Sequence, residues 1–212
     1  VHHSRDHGAR ILGVVVKVLV IHAHPDDQSF SHTLLAATVD GLQRAGHDAT
    51  VIDLCAIDYP GALSAAEWRA YESDSPVSDP IVAEHIALVR EAEALVFVYP
   101  TWWSSVPAVL KAWLERTMVE GLAFDLDPRT RAIVPGLTHI RHLVGITTYG
   151  SPWWYVKLVN DNGRRTITRT LRLSTGGKAS ATWLALYALD GLHESDRTNF
   201  VEHVRATMED LS

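Results

Sequence analysis

The run Tyr99-Pro100-Thr101-Trp102-Trp103-Ser104-Ser105-Val106-Pro107 carries two indoles, two prolines and three hydroxyl side chains in a few residues. It follows an apolar stretch, Ala94 to Val98, and so sits on a loop at the carboxyl end of a strand, the edge where open α/β sheets bind ligands. Indoles held there need a flat apolar partner, and an isoalloxazine ring suits them. Thr147-Thr148-Tyr149-Gly150-Ser151-Pro152-Trp153-Trp154-Tyr155 is a second such stretch. Its aromatics point to a ligand or subunit contact, with core packing the competing reading; Thr147 and Thr148 offer donors, and Gly150 lets backbone approach a ligand closely. A third stretch, His22 to Thr33, contains Ser29, Ser31 and Thr33 ahead of an amphipathic segment. Free N–H groups at a helix start attract phosphate. The competing reading is that Ser29 or Ser31 only caps the helix.

Strands and helices must alternate to bring these stretches together. Val16–Ala23, Asp48–Leu54, Ala94–Tyr99, His142–Thr148 and Ala181–Leu189 read as strands, the second at a sheet edge. Helices are expected over Ser31–Ala45, Ile81–Ala92, Val106–Met118, Gly163–Leu173 and Ser195–Met208, the last capped by Ser195. Residues 55–78 read as irregular, with the turns Tyr59-Pro60-Gly61 and Ser73-Asp74-Ser75-Pro76 and at most a short helix over Ala65–Tyr71. The alternation implies α/β architecture, a doubly wound five-stranded parallel sheet. In strand order 2-1-3-4-5, the loops after strands one, three and four surround the switch point. Trp183 and Tyr187 are expected on one face of the last strand.

At 212 residues one well-buried domain is expected, with residues 1–15 an N-terminal extension and 16–212 the domain. A net charge of −6 leaves no basic footprint for nucleic acid or an anionic membrane. The apolar run Ile11–Ile21 is broken by Lys17 and too short to span a bilayer, so no membrane insertion is expected. The single cysteine, Cys55, cannot form an internal disulfide and fits the cytoplasm. Neither a Walker A loop nor G-x-G-x-x-G is present.

His24-Pro25 with Gln28-Ser29-Phe30-Ser31, then Pro100 through Lys111 with Trp113, Glu115 and Arg116, then Thr147-Thr148 with Gly150, together resemble the flavodoxin-like NAD(P)H:quinone oxidoreductase family. The resemblance covers residues 16 to 208 and implies a flavodoxin-like, homodimeric flavoprotein. In it NADPH or NADH delivers a hydride to a bound flavin, which then reduces a quinone or similar acceptor in ping-pong fashion. It implies that His24, Gln28, Ser29, Phe30 and Ser31 hold the flavin's ribityl and phosphate portion. Pro100, Thr101, Trp102 and Trp103 would lie along the ring, and Thr147, Thr148 and Gly150 would serve its N1–O2 side. Backbone N–H groups from Tyr149 to Ser151 would stabilise the charge that builds there. The Gln28-Ser29-Phe30 segment looks more like FAD-binding than FMN-binding members. The family's charge-balancing tyrosine falls at Tyr155, but Asp161 stands where a histidine is expected. Tyr149 replaces a glycine found in many relatives and is expected to narrow the pocket.

One rival begins from Ala23-His24-Pro25-Asp26-Asp27, which also resembles the opening of zinc-dependent N-acetylglucosaminyl deacetylases, with His24 and Asp27 as metal ligands. It lacks a following glutamate and a downstream His-Pro-Asp-His, and leaves the Trp102 loop without a purpose, so no metal is expected. His139 and His142 read as surface residues at the sheet's opposite edge. A non-catalytic electron carrier would be more acidic. Arg164, Arg165, Arg169 and Arg172 form a basic stripe, read as a solvated face or as a partner for the NADPH 2′-phosphate.

Overall fold

The structure, a computed structural model, describes residues 14–71 and 79–212. The Ser73–Pro76 turn and most of the N-terminal extension therefore lie outside the described residues.

Five parallel strands form the sheet: β1 (Lys17–His22), β2 (Asp48–Asp53), β3 (Ala94–Pro100), β6 (His142–Thr148) and β7 (Ser180–Leu186), in the order β2-β1-β3-β6-β7. This is the expected 2-1-3-4-5 arrangement. A two-stranded antiparallel hairpin, β4 (Phe124–Leu126) and β5 (Ile133–Pro135), stands between the third and fourth sheet strands, where the sequence assigned no regular element. Three residues per strand are too few to show an alternating pattern.

Period-two alternation divides the core. Val18, Val20, Val96, Val98, Val144 and Ile146 pack against α1 (Phe30–Ala45) and α8 (Glu194–Glu209). Leu19, Ile21, Leu95, Phe97 and Leu143 face the other way, with α3 (Pro80–Glu91) and α4 (Ala108–Thr117). Fully buried Trp113 meets Phe97 edge-on at 6.2 Å. Each such large apolar side chain contributes about 1.5–3 kcal/mol relative to exposure. α1 and α8 approach closely because Gly41 has no side chain: a Cβ there would lie 2.4 Å from the Arg205 carbonyl oxygen.

Helix ends follow local chemistry. Ser29 caps α1, its Oγ accepting from the His32 N–H at 3.2 Å. Asp79 caps α3 ahead of Pro80, one residue earlier than expected. α8 starts before Ser195: His193 is its cap residue, and the Asp196 carboxylate accepts from the His193 N–H at 3.1 Å. The short α2 (Ala65–Tyr71) does form. It is tied to α4 by Arg116, whose buried guanidinium donates to Glu67 at 2.6 Å and Asp79 at 2.5 Å.

A larger difference is α5 (Trp153–Leu158), where a loop was expected. Pro152, in an extended conformation, starts it. A continuous helical stretch from Asn162 to Ser174 follows, made of α6 (Asn162–Arg165), a π-helical turn (Thr166–Leu171) and α7 (Arg172–Ser174). Trp183 packs edge-on against Tyr99 at 6.4 Å, and Tyr187, past the end of β7, stacks on Tyr149 at 4.7 Å. No helix among the described residues is long and apolar enough to cross a membrane.

Candidate functional site

The loops after β1, β3 and β6 meet at one sheet edge. The His24 ring lies 5.6 Å from that of Trp102. The Thr101 N–H donates to the Thr148 carbonyl at 2.8 Å, and the Thr101 and Thr147 hydroxyls are 3.0 Å apart. A cavity of about 300 Å3 opens between Thr101, Trp103 and Ser104 on one side and Gly150, Ser151 and Tyr155 on the other.

Two left-handed residues shape one wall. Trp103 (φ 49°) and Ser104 (φ 60°) form a two-residue turn closed by reciprocal backbone hydrogen bonds between Trp102 and Ser105 at 3.2 and 3.0 Å. Such turns favour asparagine and glycine at both central positions. Trp103 is 100% exposed, so its indole gains nothing from packing in this chain, whereas Trp102, at 45%, is partly covered beside His24. Pro100 is buried and paired in β3, so it supports the turn from below.

On the opposite wall, the Gly150 and Ser151 N–H groups have no acceptor among the described residues, whereas the Tyr149 N–H donates to the Leu186 carbonyl at 2.8 Å. The expected row of donors therefore loses its first member. Thr147 is fully buried with its hydroxyl at Thr101, so it braces the wall instead of reaching the cavity. Thr148 is buried as well. Tyr155 lines the cavity at 41% exposure, its ring 5.9 Å from that of Trp154.

Tyr149 does not fill the pocket with a free phenol. Its hydroxyl donates to Asp161 Oδ1 at 2.7 Å within the protein. Burial, reinforced by that hydrogen bond and the Asp161 charge, pushes the Tyr149 phenol well above its ordinary range. Asp161, with φ 46°, is buried and its Oδ2 has no hydrogen-bond partner. The buried Tyr99 hydroxyl also lacks a partner, and burial followed by the Asp161 charge raises its pKa. A Cβ on Gly163 would lie 3.2 Å from that hydroxyl, which explains the small residue at the start of α6. Pairing of Tyr149 with Asp161 was not expected from sequence; its one signal was Asn160-Asp161-Asn162-Gly163, residue types that tolerate left-handed turns.

The first loop is braced internally. His24 Nδ1 accepts from the Asp26 N–H at 3.0 Å, Asp26 Oδ1 from the Gln28 N–H at 2.9 Å, and Asp27 Oδ1 from Gln28 Nε2 at 3.1 Å. Ser29 is the helix cap, and Phe30 is partly buried against the α1–α8 core. Beneath the loop, His22 Nδ1 lies 3.1 Å from Asp53 Oδ2, and His22 Nε2 lies 3.4 Å from Ser31 Oγ. Burial lowers the His22 pKa despite the Asp53 hydrogen bond, keeping the imidazole neutral. The one metal-capable group among the described residues is His22, His32 and Asp53, not the His24 and Asp27 that the deacetylase reading requires. His139 and His142 bond to the Val89 carbonyl and the Ser180 hydroxyl, away from the cavity.

A family model described as "Flavodoxin-like fold" matches residues 16–211. Human ribosyldihydronicotinamide dehydrogenase [quinone] is 34% identical over 172 residues, covering 70% of each chain. The solved NAD(P)H:quinone oxidoreductase from Methanothermobacter marburgensis is similar at TM-score 0.75 and 26% identity, over 93% of this chain and 97% of that one. An FMN-dependent NADH-azoreductase from Bacillus anthracis, solved in complex with FMN, shares the fold at TM-score 0.73 and 16% identity, over 92% and 98% of the two chains. None of these relatives is a deacetylase, and the zinc alternative has no support in either the relatives or the geometry. The chain belongs to the flavodoxin-like NAD(P)H:quinone oxidoreductase family.

Proposed function

We propose that this chain is a flavin-dependent oxidoreductase that takes a hydride from a reduced nicotinamide and delivers it to a quinone or similar flat acceptor. The observation that carries this reading is the cavity itself. One wall is a fully exposed indole held in an unfavourable backbone conformation, and the other presents two backbone N–H groups without acceptors among the described residues. Both features suit a planar ring with an electron-rich edge.

When bound, the flavin supplies the two-electron chemistry. The chain's own groups position the reactants and manage charge. Trp102 and Trp103 offer the apolar wall, with Thr101 and Pro100 beneath. The Gly150 and Ser151 N–H groups would stabilise negative charge on the reduced ring, as an oxyanion hole does. Tyr155, exposed at the cavity and with no acidic partner among the described residues, is the hydroxyl that can hold a proton beside the acceptor. Asp161 acts through Tyr149, fixing the loop that carries Gly150.

The phosphate is assigned to the start of α1, beside Ser31 and His24. Gln28 bonds to Asp27 and Ser29 caps the helix, so neither side chain is left for an adenosine, which supports FMN over FAD. Relatives named for NAD(P)H and for ribosyldihydronicotinamide leave two sizes of hydride donor open. Trp103, Trp153, Trp154 and Leu158 are all more than half exposed, and we assign this apolar surface to the contact of a cytoplasmic homodimer built from the 16–212 domain.

The test is the spectrum of the purified protein. A flavin band that bleaches anaerobically with reduced nicotinamide and returns with quinone is expected, with FMN identified by mass after release. A protein that neither holds nor regains flavin refutes the reading.

A further inference from the structure

Across the wall formed by Asp161 lies a second cavity, of about 170 Å3, lined by Lys157, Arg164, Arg165 and Arg169 together with Asn160 and Thr168. Asp161 lines both cavities and is the only carboxylate in this one. Four cations thus converge on one hollow in a chain whose net charge is −6.

Among the described residues, Arg164, Arg165 and Arg169 form no salt bridge, so their guanidinium charges are not neutralised by a carboxylate of the chain. Arg172, the fourth member of the stripe, is turned away and donates to the Ala179 carbonyl at 2.7 Å. The neutral polar groups in the cavity already have partners: Thr168 Oγ1 donates to the Arg164 carbonyl at 2.9 Å, and Asn160 Nδ2 to Asn162 Oδ1 at 3.2 Å. Lys157 Nζ lies over the Trp153 ring at 5.5 Å, so the three guanidinium groups are the donors available to a ligand. Arg169 lies in the π-helical turn Thr166–Leu171 and Arg164 and Arg165 lead into it, an irregularity that recurs at functional sites.

Guanidinium groups match phosphate oxygens in a fixed fork geometry, and clustered ones select multiply charged phosphates. We propose that this cavity binds the phosphate-bearing arm of the hydride donor, so that the enzyme selects a nicotinamide dinucleotide over an unphosphorylated dihydronicotinamide riboside. The assignment rests on the oxidoreductase reading above and adds the donor class to it.

The test compares NADPH, NADH and dihydronicotinamide riboside on the flavin-loaded wild type and on the triple variant Arg164→Gln/Arg165→Gln/Arg169→Gln. Flavin content and melting temperature serve as controls. The variant is expected to raise KM for phosphorylated donors about 10- to 100-fold, the range of one or two lost charge-assisted hydrogen bonds. Activity with the riboside should stay within about twofold. A loss confined to NADPH assigns the cavity to the 2′-phosphate, and an equal loss with NADH assigns it to the diphosphate; either supports the proposal. Calorimetry with adenosine 2′,5′-bisphosphate and with ADP gives a readout independent of turnover: wild type binds at least one, the variant neither. Unchanged donor kinetics, an equal loss with the riboside, or loss of flavin from the variant overturns the proposal. If no donor reduces the wild-type flavin, the oxidoreductase reading fails instead, and absence of calorimetric binding overturns the cavity assignment on its own.

Discussion

Replacing Trp103 by glycine should stabilise the flavin-free protein while weakening its hold on flavin. Trp103 occupies a left-handed conformation (φ 49°) that costs an L-residue roughly 1–2 kcal/mol. Glycine removes that cost but adds back about 0.5–1 kcal/mol of chain entropy. No burial is lost, because the indole is 100% exposed. The net expectation is about 0.5–1 kcal/mol of stabilisation, or roughly 1–4 °C in Tm for a domain of this size. Covering about 100 Å2 of the indole with a flat ring would contribute about 2–3 kcal/mol, so flavin affinity should fall roughly 30- to 150-fold. Thermal unfolding of flavin-free protein and fluorescence titration with FMN measure both quantities. Ser104→Gly relieves the neighbouring left-handed residue without removing an indole, and should reproduce the gain in stability but not the loss of affinity. The reasoning fails if Trp103→Gly lowers the melting temperature of the flavin-free protein, or if its FMN affinity equals that of the wild type.

Two further predictions concern the frame that carries the site. Gly145→Ala in β6 should destabilise by about 1–3 kcal/mol, because its Cβ would sit 2.1 Å from Trp183 Cζ3. Adding Trp183→Leu should restore much of that loss in urea unfolding, and a neutral Gly145→Ala would show that the ring moves aside freely. The second is a dependence on pH. Burial lowers the pKa values of His22 and His85 below 6.5, and the His85 Nδ1 accepts a hydrogen bond from Trp113, which only the neutral imidazole can do. The unfolded chain therefore binds protons near pH 6.5 that the folded chain refuses. Their contribution is intact above pH 6.5 and is lost as pH falls toward the lower folded values, by up to about 1.4 kcal/mol per pH unit for each histidine. His22→Gln should flatten this slope in denaturant titrations between pH 5 and 6.5. An unchanged slope would contradict the assignment to His22.

The strand order was legible in the chain because five apolar runs recur between amphipathic segments, and the right-handed crossover rule leaves few ways to connect them. The aromatic loops were legible for the same kind of reason: indoles outside the core advertise a ligand wherever the chain carries them. Residue type alone could not show which side chains would be left over once the fold had formed. Ser29, Gln28 and Thr147 are all plausible ligand donors by chemistry, yet the folded loops give each a partner within the protein. Conversely, the sequence left Arg164, Arg165 and Arg169 open between a solvated face and a phosphate partner, and only the fold, with its turn at Asn160 and Asp161, sets them around a hollow beside the aromatic cavity. Local periodicity governs elements because its forces act between near neighbours in sequence. The availability of a polar group depends on contacts between residues far apart in the chain, such as the Tyr149 hydroxyl on Asp161 and the His22 imidazole on Asp53, and only the packed structure decides those.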